Sequence, residues 1–198
     1  MIPADVRRHF EETGALLSGH FKLSSGLHSD RYLQCAKVLM WPGRADSLGR
    51  ALGALLRPFG AESVISPALG GVIIGQEVGR ALSVRALFTE RVDGAFALRR
   101  GFSLEPGENV AVIEDVVTTG KSTREVIAVV RAAGALVVAC GSIIDRRGAN
   151  ERGETVDGIP FRALLALDVP AWEPAACPLC AKGTPLTAPG SRHLISKP

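Results

Sequence analysis

One segment constrains this chain more than any other: Val110-Ala-Val-Ile-Glu114-Asp115-Val116-Val117-Thr118-Thr119-Gly120-Lys121-Ser122-Thr123. Its apolar start reads as a buried strand. The strand ends on two adjacent carboxylates, passes through a turn of hydroxyls and glycine, and opens into a helix. In open α/β sheets, ligands sit at the carboxyl ends of the strands. A glycine-containing loop entering a helix offers free backbone N–H groups and the positive end of the helix dipole. Thr118, Thr119, Ser122 and Thr123 add hydroxyls, which makes a phosphate cradle. The two acids before it suit ribose hydroxyls, or magnesium through water. A plainer alternative is a strand–turn–helix whose Thr118 or Thr119 merely caps the helix. It leaves the paired acids and the density of hydroxyl and glycine positions without a reason. An ATP-type P-loop needs a glycine five residues before Gly120, and position 115 is Asp, so that reading is rejected.

The rest of the chain supplies a frame for this segment. Residues 3–17 carry Val6, Phe10, Leu16 and Leu17 at the apolar positions of an amphipathic helix. Residues 19–35 read as strands and turns. Residues 44–57 read as a helix on Leu48, Leu52, Leu55 and Leu56. A short β-type run at Ser63–Ser66 precedes Pro67 and the pair Gly70-Gly71, with a helix expected over 72–82 and a strand over 84–89. After the strand at 110–114 come a helix near 121–133, a stop at Gly134 and a strand over 136–144. Strand, helix, strand in this order points to parallel pairing with right-handed crossovers. Residues 90–109 are polar and contain glycine, and read as a long functional loop. From about 170 the chain is rich in Pro, Gly and Ala and reads as irregular.

Composition excludes several classes. The chain of 198 residues is 46% hydrophobic and 22% charged, which argues against disorder and for one compact domain. A net charge of +3 is too small to point to nucleic acid. The start, Met1-Ile2-Pro3-Ala4-Asp5, has no basic region followed by an apolar run. No stretch approaches the roughly 18 apolar residues that a membrane span needs, so the expected location is the cytoplasm, with neither nucleic acid nor membrane as partner. Cysteines 35, 140, 177 and 180 make no disulfide framework in a chain this size. The spacing of Cys177-Pro-Leu-Cys180 suits zinc or redox chemistry, but one pair supplies only half a ligand set. His193 and the distant cysteines would have to join it by folding. The expectation is a tail with two reduced thiols and no metal held by protein ligands; pairing of the motif across a dimer stays open.

Over its whole length the 110–123 segment resembles the signature of the type I phosphoribosyltransferases. The resemblance implies an α/β fold: a central parallel sheet flanked by helices, with a small hood formed by N-terminal and C-terminal segments. Its expected bounds are about 40–155 for the core, 1–35 and 160–198 for the hood, and 90–105 for a flexible loop. It also implies that Glu114 and Asp115 hydrogen-bond the ribose of phosphoribosyl pyrophosphate. Val116, Val117, Thr118, Thr119, Gly120, Lys121 and Ser122 would complete the site by holding the 5-phosphate.

Three further segments are similar to the orotate phosphoribosyltransferases in particular. Phe21-Lys-Leu-Ser-Ser25-Gly26-Leu-His-Ser29 with Tyr32-Leu-Gln34 resembles the strand and turn over the orotate ring. Ser66-Pro67-Ala68-Leu69-Gly70-Gly71 resembles the pyrophosphate-binding turn, and Ile143-Ile144-Asp145-Arg146 the strand end whose Arg pairs with the orotate carboxylate. The orotate contacts implied are Thr118, Arg146, Ser25 and Gly26. A planar Arg fork is the natural partner of that carboxylate. Taken alone, Arg146 reads as a surface residue, Ser25-Gly26 as a simple turn and Tyr32 as core; their order along the chain changes that.

The chain departs from the family pattern where lysines are common: Ser24 precedes the Ser25-Gly26 pair, Gly70 stands in the pyrophosphate turn, and the loop carries arginine only. Arg91, Arg99 and Arg100 are the candidate catalytic substitutes; the alternative for them is a solvated charged hairpin. The implied reaction joins orotate to the ribose 5-phosphate of phosphoribosyl pyrophosphate, through an oxocarbenium-like transition state. Magnesium arrives with the pyrophosphate, the loop closes as a lid, and a homodimer shares the loop across its interface. The rivals are a purine or uracil phosphoribosyltransferase, and a non-catalytic sensor of phosphoribosyl pyrophosphate.

Overall fold

A computed structural model describes residues 1–23, 25–148 and 152–189; Ser24 and His193 lie outside them. The helices are α1 (Pro3–Glu12), α2 (Ala36–Leu39), α3 (Pro42–Leu56), α4 (Gly70–Leu82), α5 (Lys121–Ala132) and α6 (Pro178–Ala181). The strands are β1 (Leu16–Lys22), β2 (His28–Leu33), β3 (Ser63–Pro67), β4 (Arg85–Val92), β5 (Ala95–Leu98), β6 (Asn109–Val117), β7 (Leu136–Asp145), β8 (Thr155–Val156), β9 (Ile159–Ala166) and β10 (Ala171–Trp172).

The main sheet runs β5-β4-β3-β6-β7-β9-β8. Its interior pairs, from β4 through β9, are all parallel, and the outermost pairs are antiparallel. The apolar run Val110–Ile113 is buried throughout because both faces of β6 are covered. Ala111 and Ile113 point into a cluster with Leu48, Leu52 and Leu56 of α3 and Ile74 and Val78 of α4. Val110 and Val112 point the other way, into a cluster with Val126, Ile127 and Val130 of α5. Close approach of α3 to α4 depends on glycine: a Cβ at Gly49 would lie 2.8 Å from the backbone carbonyl carbon of Glu77.

Four expectations need correction. The first helix does not reach Leu17. Gly14, at φ +62°, ends it in a Schellman turn, with Ala15 N–H donating to Phe10 O and Gly14 N–H to Glu11 O. Leu16 and Leu17 therefore open β1. Residues 90–109 are not one loop, because β4 runs on to Val92 and turns back as β5. The turn is Asp93-Gly94, both with positive φ (+50° and +87°), the conformation that a tight hairpin requires. Residues 159–166 belong to the main sheet rather than the hood, since Ile159, Phe161, Leu164 and Leu165 are buried in its clusters. Likewise α1 packs its Val6 and Phe10 into the α3/α4 cluster, so it is part of the core body. The hood is a separate sheet, β1-β2-β10. Gly134 stops α5 as expected, by the same Schellman pattern: Ala135 N–H donates to Val130 O and Gly134 N–H to Arg131 O.

Candidate active site

The direction of the chain changes between two neighbouring strands. From β3 the chain crosses by α4 to β4 on one side; from β6 it crosses by α5 to β7 on the other. Helices α4 and α5 lie on opposite faces of the sheet. The carboxyl ends of β3 and β6 therefore form the topological switch point, where open α/β sheets leave a crevice for a ligand.

Two loops flank that crevice. The turn after β3 holds Ala68, Leu69, Gly70 and Gly71. Ala68 N–H donates to Thr89 O at 2.8 Å, the Ala68–Leu69 peptide is cis, and α4 begins at Gly70. A Cβ at Gly70 would stand 2.9 Å from both carboxylate oxygens of Asp115, so this turn abuts the acid pair. The loop after β6 holds Thr118 and Thr119, both exposed, and Gly120 at φ +71° as the N-cap of α5. Arg124 reaches back to donate to Thr119 O at 2.7 Å, and Lys121 N–H points at Thr119 Oγ1 at 3.4 Å. A cleft of about 420 Å³ runs beside the loop, lined by Thr119, Gly120, Arg124 and Arg147 among others.

The acid pair sits in a poor solvent for charge. Burial, and then the neighbouring Asp115, push the Glu114 carboxyl up to about 9. Burial raises Asp115 as well, against the hydrogen bond from Val116 N–H (2.9 Å) that lowers it. Two carboxylates this close do not both ionise readily without a cation or hydroxyl donors beside them.

At the end of β7 two adjacent arginines have different roles. Arg147 is buried and forks onto Asp145 (Nε–Oδ1 3.0 Å, Nη2–Oδ2 2.9 Å), with further bonds to Thr155 O and Gly153 O. Arg146 is tied through its backbone, whose N–H donates to Val117 O at 2.7 Å. Its Nε is buried without a hydrogen-bond partner among the described residues. Partial burial lowers its pKa, because a desolvated charge is disfavoured. The Cys35 thiol lies within electrostatic reach of Asp115 and Glu114, which raise it, and of Arg146, which lowers it. Burial first, and then the two acids, raise that thiol well above its usual value, so it offers no thiolate.

The fold thus brings together the 114–122 segment, the 68–71 turn and Arg146. Ser25 and Gly26 form the tip of the β1–β2 hairpin, where Gly26 takes φ +89° and its N–H donates to Leu23 O. Of the loop arginines, Arg91 stands on β4, and Arg99 and Arg100 directly follow β5. Arg91 pairs with Glu125 of α5 at 2.7 Å and lies over the Phe96 ring, and Arg100 pairs with Glu90 at 2.8 Å. Arg99 is exposed and makes no ion pair among the described residues. Sequence reasoning missed the Asp145–Arg147 fork, although an acid two residues before an arginine at a strand end was its signal.

No family model matches the chain. Curated relatives match it nearly end to end. It is 51% identical over 189 residues to the orotate phosphoribosyltransferase of Thermotoga maritima, covering 96% of this chain and 99% of that one. It is 54% identical over 199 residues to that of Acidithiobacillus ferrooxidans, covering 98% and 100%. The chain belongs to the orotate phosphoribosyltransferase family. Among solved structures, the orotate phosphoribosyltransferase of Aeropyrum pernix superposes with a TM-score of 0.65 at 26% identity, covering 82% of this chain and 93% of that one. The adenine phosphoribosyltransferase of Thermoanaerobacter pseudethanolicus shares the fold, with a TM-score of 0.59 at 15% identity, covering 69% and 88%. The orotate phosphoribosyltransferase framework, a type I phosphoribosyltransferase sheet beneath a small hood, thus accounts for the switch-point crevice and the loops around it.

Proposed function

We propose that this chain transfers the ribose 5-phosphate group of phosphoribosyl pyrophosphate to orotate, giving orotidine 5′-monophosphate and pyrophosphate. The observation that carries the reading is the unpartnered, buried Nε of Arg146, at the end of β7 where its backbone joins the end of β6. A buried guanidinium nitrogen needs an acceptor, and the carboxylate of orotate is a planar one that fits its fork. Thr118 and the hairpin tip Ser25-Gly26 complete the base site.

Glu114 and Asp115 hold the ribose hydroxyls. The N–H groups of 118–122 at the start of α5 hold the 5-phosphate, and those of 68–71 hold the pyrophosphate. The raised acid pair also suits the water shell of a divalent cation, and Mg2+ entering with the pyrophosphate would supply charge neutralisation to the leaving group. Everything else asked of the chain is positioning and electrostatic stabilisation. The anomeric carbon loses pyrophosphate as the orotate ring nitrogen approaches from the opposite face, and no side chain forms a covalent intermediate. The β4–β5 hairpin acts as the lid that keeps water from an oxocarbenium-like centre. Of the arginines on or just after it, Arg99 makes no ion pair among the described residues. The working form is a cytoplasmic homodimer in which the hairpin serves the partner's site.

The test is orotate consumption, followed by absorbance, in wild type and Arg146→Ala. The wild type should consume orotate only with phosphoribosyl pyrophosphate and Mg2+ present, and the variant should lose at least about tenfold in kcat/KM for orotate, the loss of one charged hydrogen bond. A wild type that ignores orotate yet binds phosphoribosyl pyrophosphate would overturn the base assignment and turn attention to uracil and the purines.

A further inference from the structure

The hood contains a second constellation that the transferase reading does not use. His20 of β1, His28 of β2, and Cys177 and Cys180 at the start and within α6 bring one ligand atom each to within 4.8 Å of all the others. The separations are 3.1 Å for His20 Nε2–His28 Nδ1, 3.5 Å for Cys177 Sγ–His20 Nε2, 3.7 Å for Cys180 Sγ–His20 Nε2 and 3.2 Å for Cys180 Sγ–His28 Nδ1. A tetrahedral zinc with Zn–S near 2.3 Å and Zn–N near 2.05 Å requires N···N edges of about 3.3 Å and N···S edges of about 3.6 Å. Those four edges fall within a few tenths of an ångström of these figures, and the remaining two lie within 4.8 Å. We propose that His20, His28, Cys177 and Cys180 form a structural zinc site that fastens the C-terminal segment to the hood.

The histidine protons support the assignment. His20 Nδ1 lies 2.8 Å from Thr184 O. A carbonyl only accepts, so Nδ1 carries the hydrogen and Nε2 turns its lone pair toward the cluster. A metal-bound histidine is typically oriented in this way, by a backbone acceptor on its far nitrogen. His20, His28 and Cys177 are buried, so the site is closed by protein on most sides. A Cys2His2 set in tetrahedral array selects zinc over the hard cations, which prefer oxygen. A plain dithiol pair would need no histidine nitrogens converging on its sulfurs.

The topology gives the metal a task. The C-terminal segment joins the β2 edge of the hood as β10, opposite His28 and Ser29, with Ser29 Oγ donating to Pro170 O at 2.7 Å. It then crosses one face of the hairpin and returns beside β1. There Thr187 N–H donates to His20 O and Lys22 N–H to Thr187 O, each at 2.8 Å. Both cysteines lie on this crossing. None of the four ligands, nor Phe21 of the hairpin, belongs to either main hydrophobic cluster. A lobe without a core of its own needs a staple, and a structural metal is one of the few kinds available. The same hairpin carries Ser25 and Gly26 at its tip, so the metal would also set the stance of that turn.

The test starts from full-length protein purified under reducing conditions and passed through a desalting column. Elemental analysis should find about one zinc per chain. Exchange with Co2+ should give the visible bands of tetrahedral cobalt and a thiolate charge-transfer band. Cys180→Ser alters the one exposed ligand and is the variant least at risk of misfolding; it should weaken metal binding by more than about tenfold. Because a folding defect could mimic that loss, a second measurement uses the wild type alone. Removing zinc with a strong chelator should raise amide exchange in residues 16–33 and 170–187 and leave β6 and β7 protected. The proposal is overturned if the reduced wild type takes up neither zinc nor Co2+, if Cys180→Ser binds cobalt as the wild type does, or if the thiols are found as a Cys177–Cys180 disulfide whose reduction restores no metal binding.

Discussion

Replacing Glu114 with Gln should stabilise the ligand-free protein while crippling it, and the gain should grow with pH. Burial and Asp115 push the Glu114 carboxyl from 4.5 up to about 9. Between those values the folded chain keeps a proton that the unfolded chain has released. The unfolded state therefore binds fewer protons, and stability falls as pH rises through the window from 4.5 to about 9. Each pH unit above the unfolded pKa is worth about 1.4 kcal/mol, so at pH ~7.5 the ceiling is about 4 kcal/mol. Relaxation and water entry in real interiors leave on the order of half of such a ceiling, about 2 kcal/mol. For a chain of this size that is a rise of roughly 4–8 °C in Tm. Glutamine has no proton to lose, so its difference from wild type should be small near pH 5 and reach this value near pH 7.5. The assay is thermal unfolding of both proteins across that range, without substrates. A difference that stays constant from acid to alkaline pH, or a Gln variant less stable at the alkaline end, would refute the account of the acid pair.

Arg147→Met leaves Asp145 buried without its fork, and should lower stability by about 3–5 kcal/mol in denaturant unfolding; adding Asp145→Asn should recover part of the loss. Arg99→Ala should reduce kcat with Tm unchanged, whereas Arg91→Ala, which breaks the pair with Glu125, should move Tm by no more than about a degree or two; steady-state kinetics and melting curves on both variants separate the two outcomes.

The strand–acid–loop–helix segment was legible because everything it needs is local. A buried run, paired charges, a left-handed glycine and a helix start follow one another within a few residues, and the glycine stop at Gly134 is equally local. Leu16 and Leu17 misled because their spacing continues the α1 stripe, and only the backbone of Gly14 decides that the stripe ends. The β4–β5 hairpin carried its signal in Asp93-Gly94, which was lost among the surrounding arginines. The hood bounds implied by the resemblance took in strand β9, although Ile159 and Phe161 enter one core cluster and Leu164 and Leu165 the other. Arg146 was singled out by the family resemblance of its segment and by its place after the phosphate loop, but its difference from Arg147 depends on which side chain finds Asp145. The His–Cys constellation was out of reach, because pairing of β1 with β2 and the return of the tail past Thr187 are long-range events. Spacing within Cys177–Cys180 names half a site and says nothing of His20 or His28.

The way the main sheet ends bears on the protein's behaviour at high concentration. A parallel sheet of this kind would offer two long rows of unpaired backbone groups to any neighbouring molecule, and such rows template aggregation. Here each margin is finished by a short antiparallel strand, the four residues of β5 on one side and the two of β8 on the other. A tight turn joins each to its neighbour, Asp93-Gly94 before β5 and Asp157-Gly158 after β8, with positive φ at both residues of each turn. Charge stands beside each margin, in Arg91 on the first side and in the exposed Arg131–Asp157 pair on the second. Removing β5 should leave the switch-point crevice intact and make the molecule associate edge to edge.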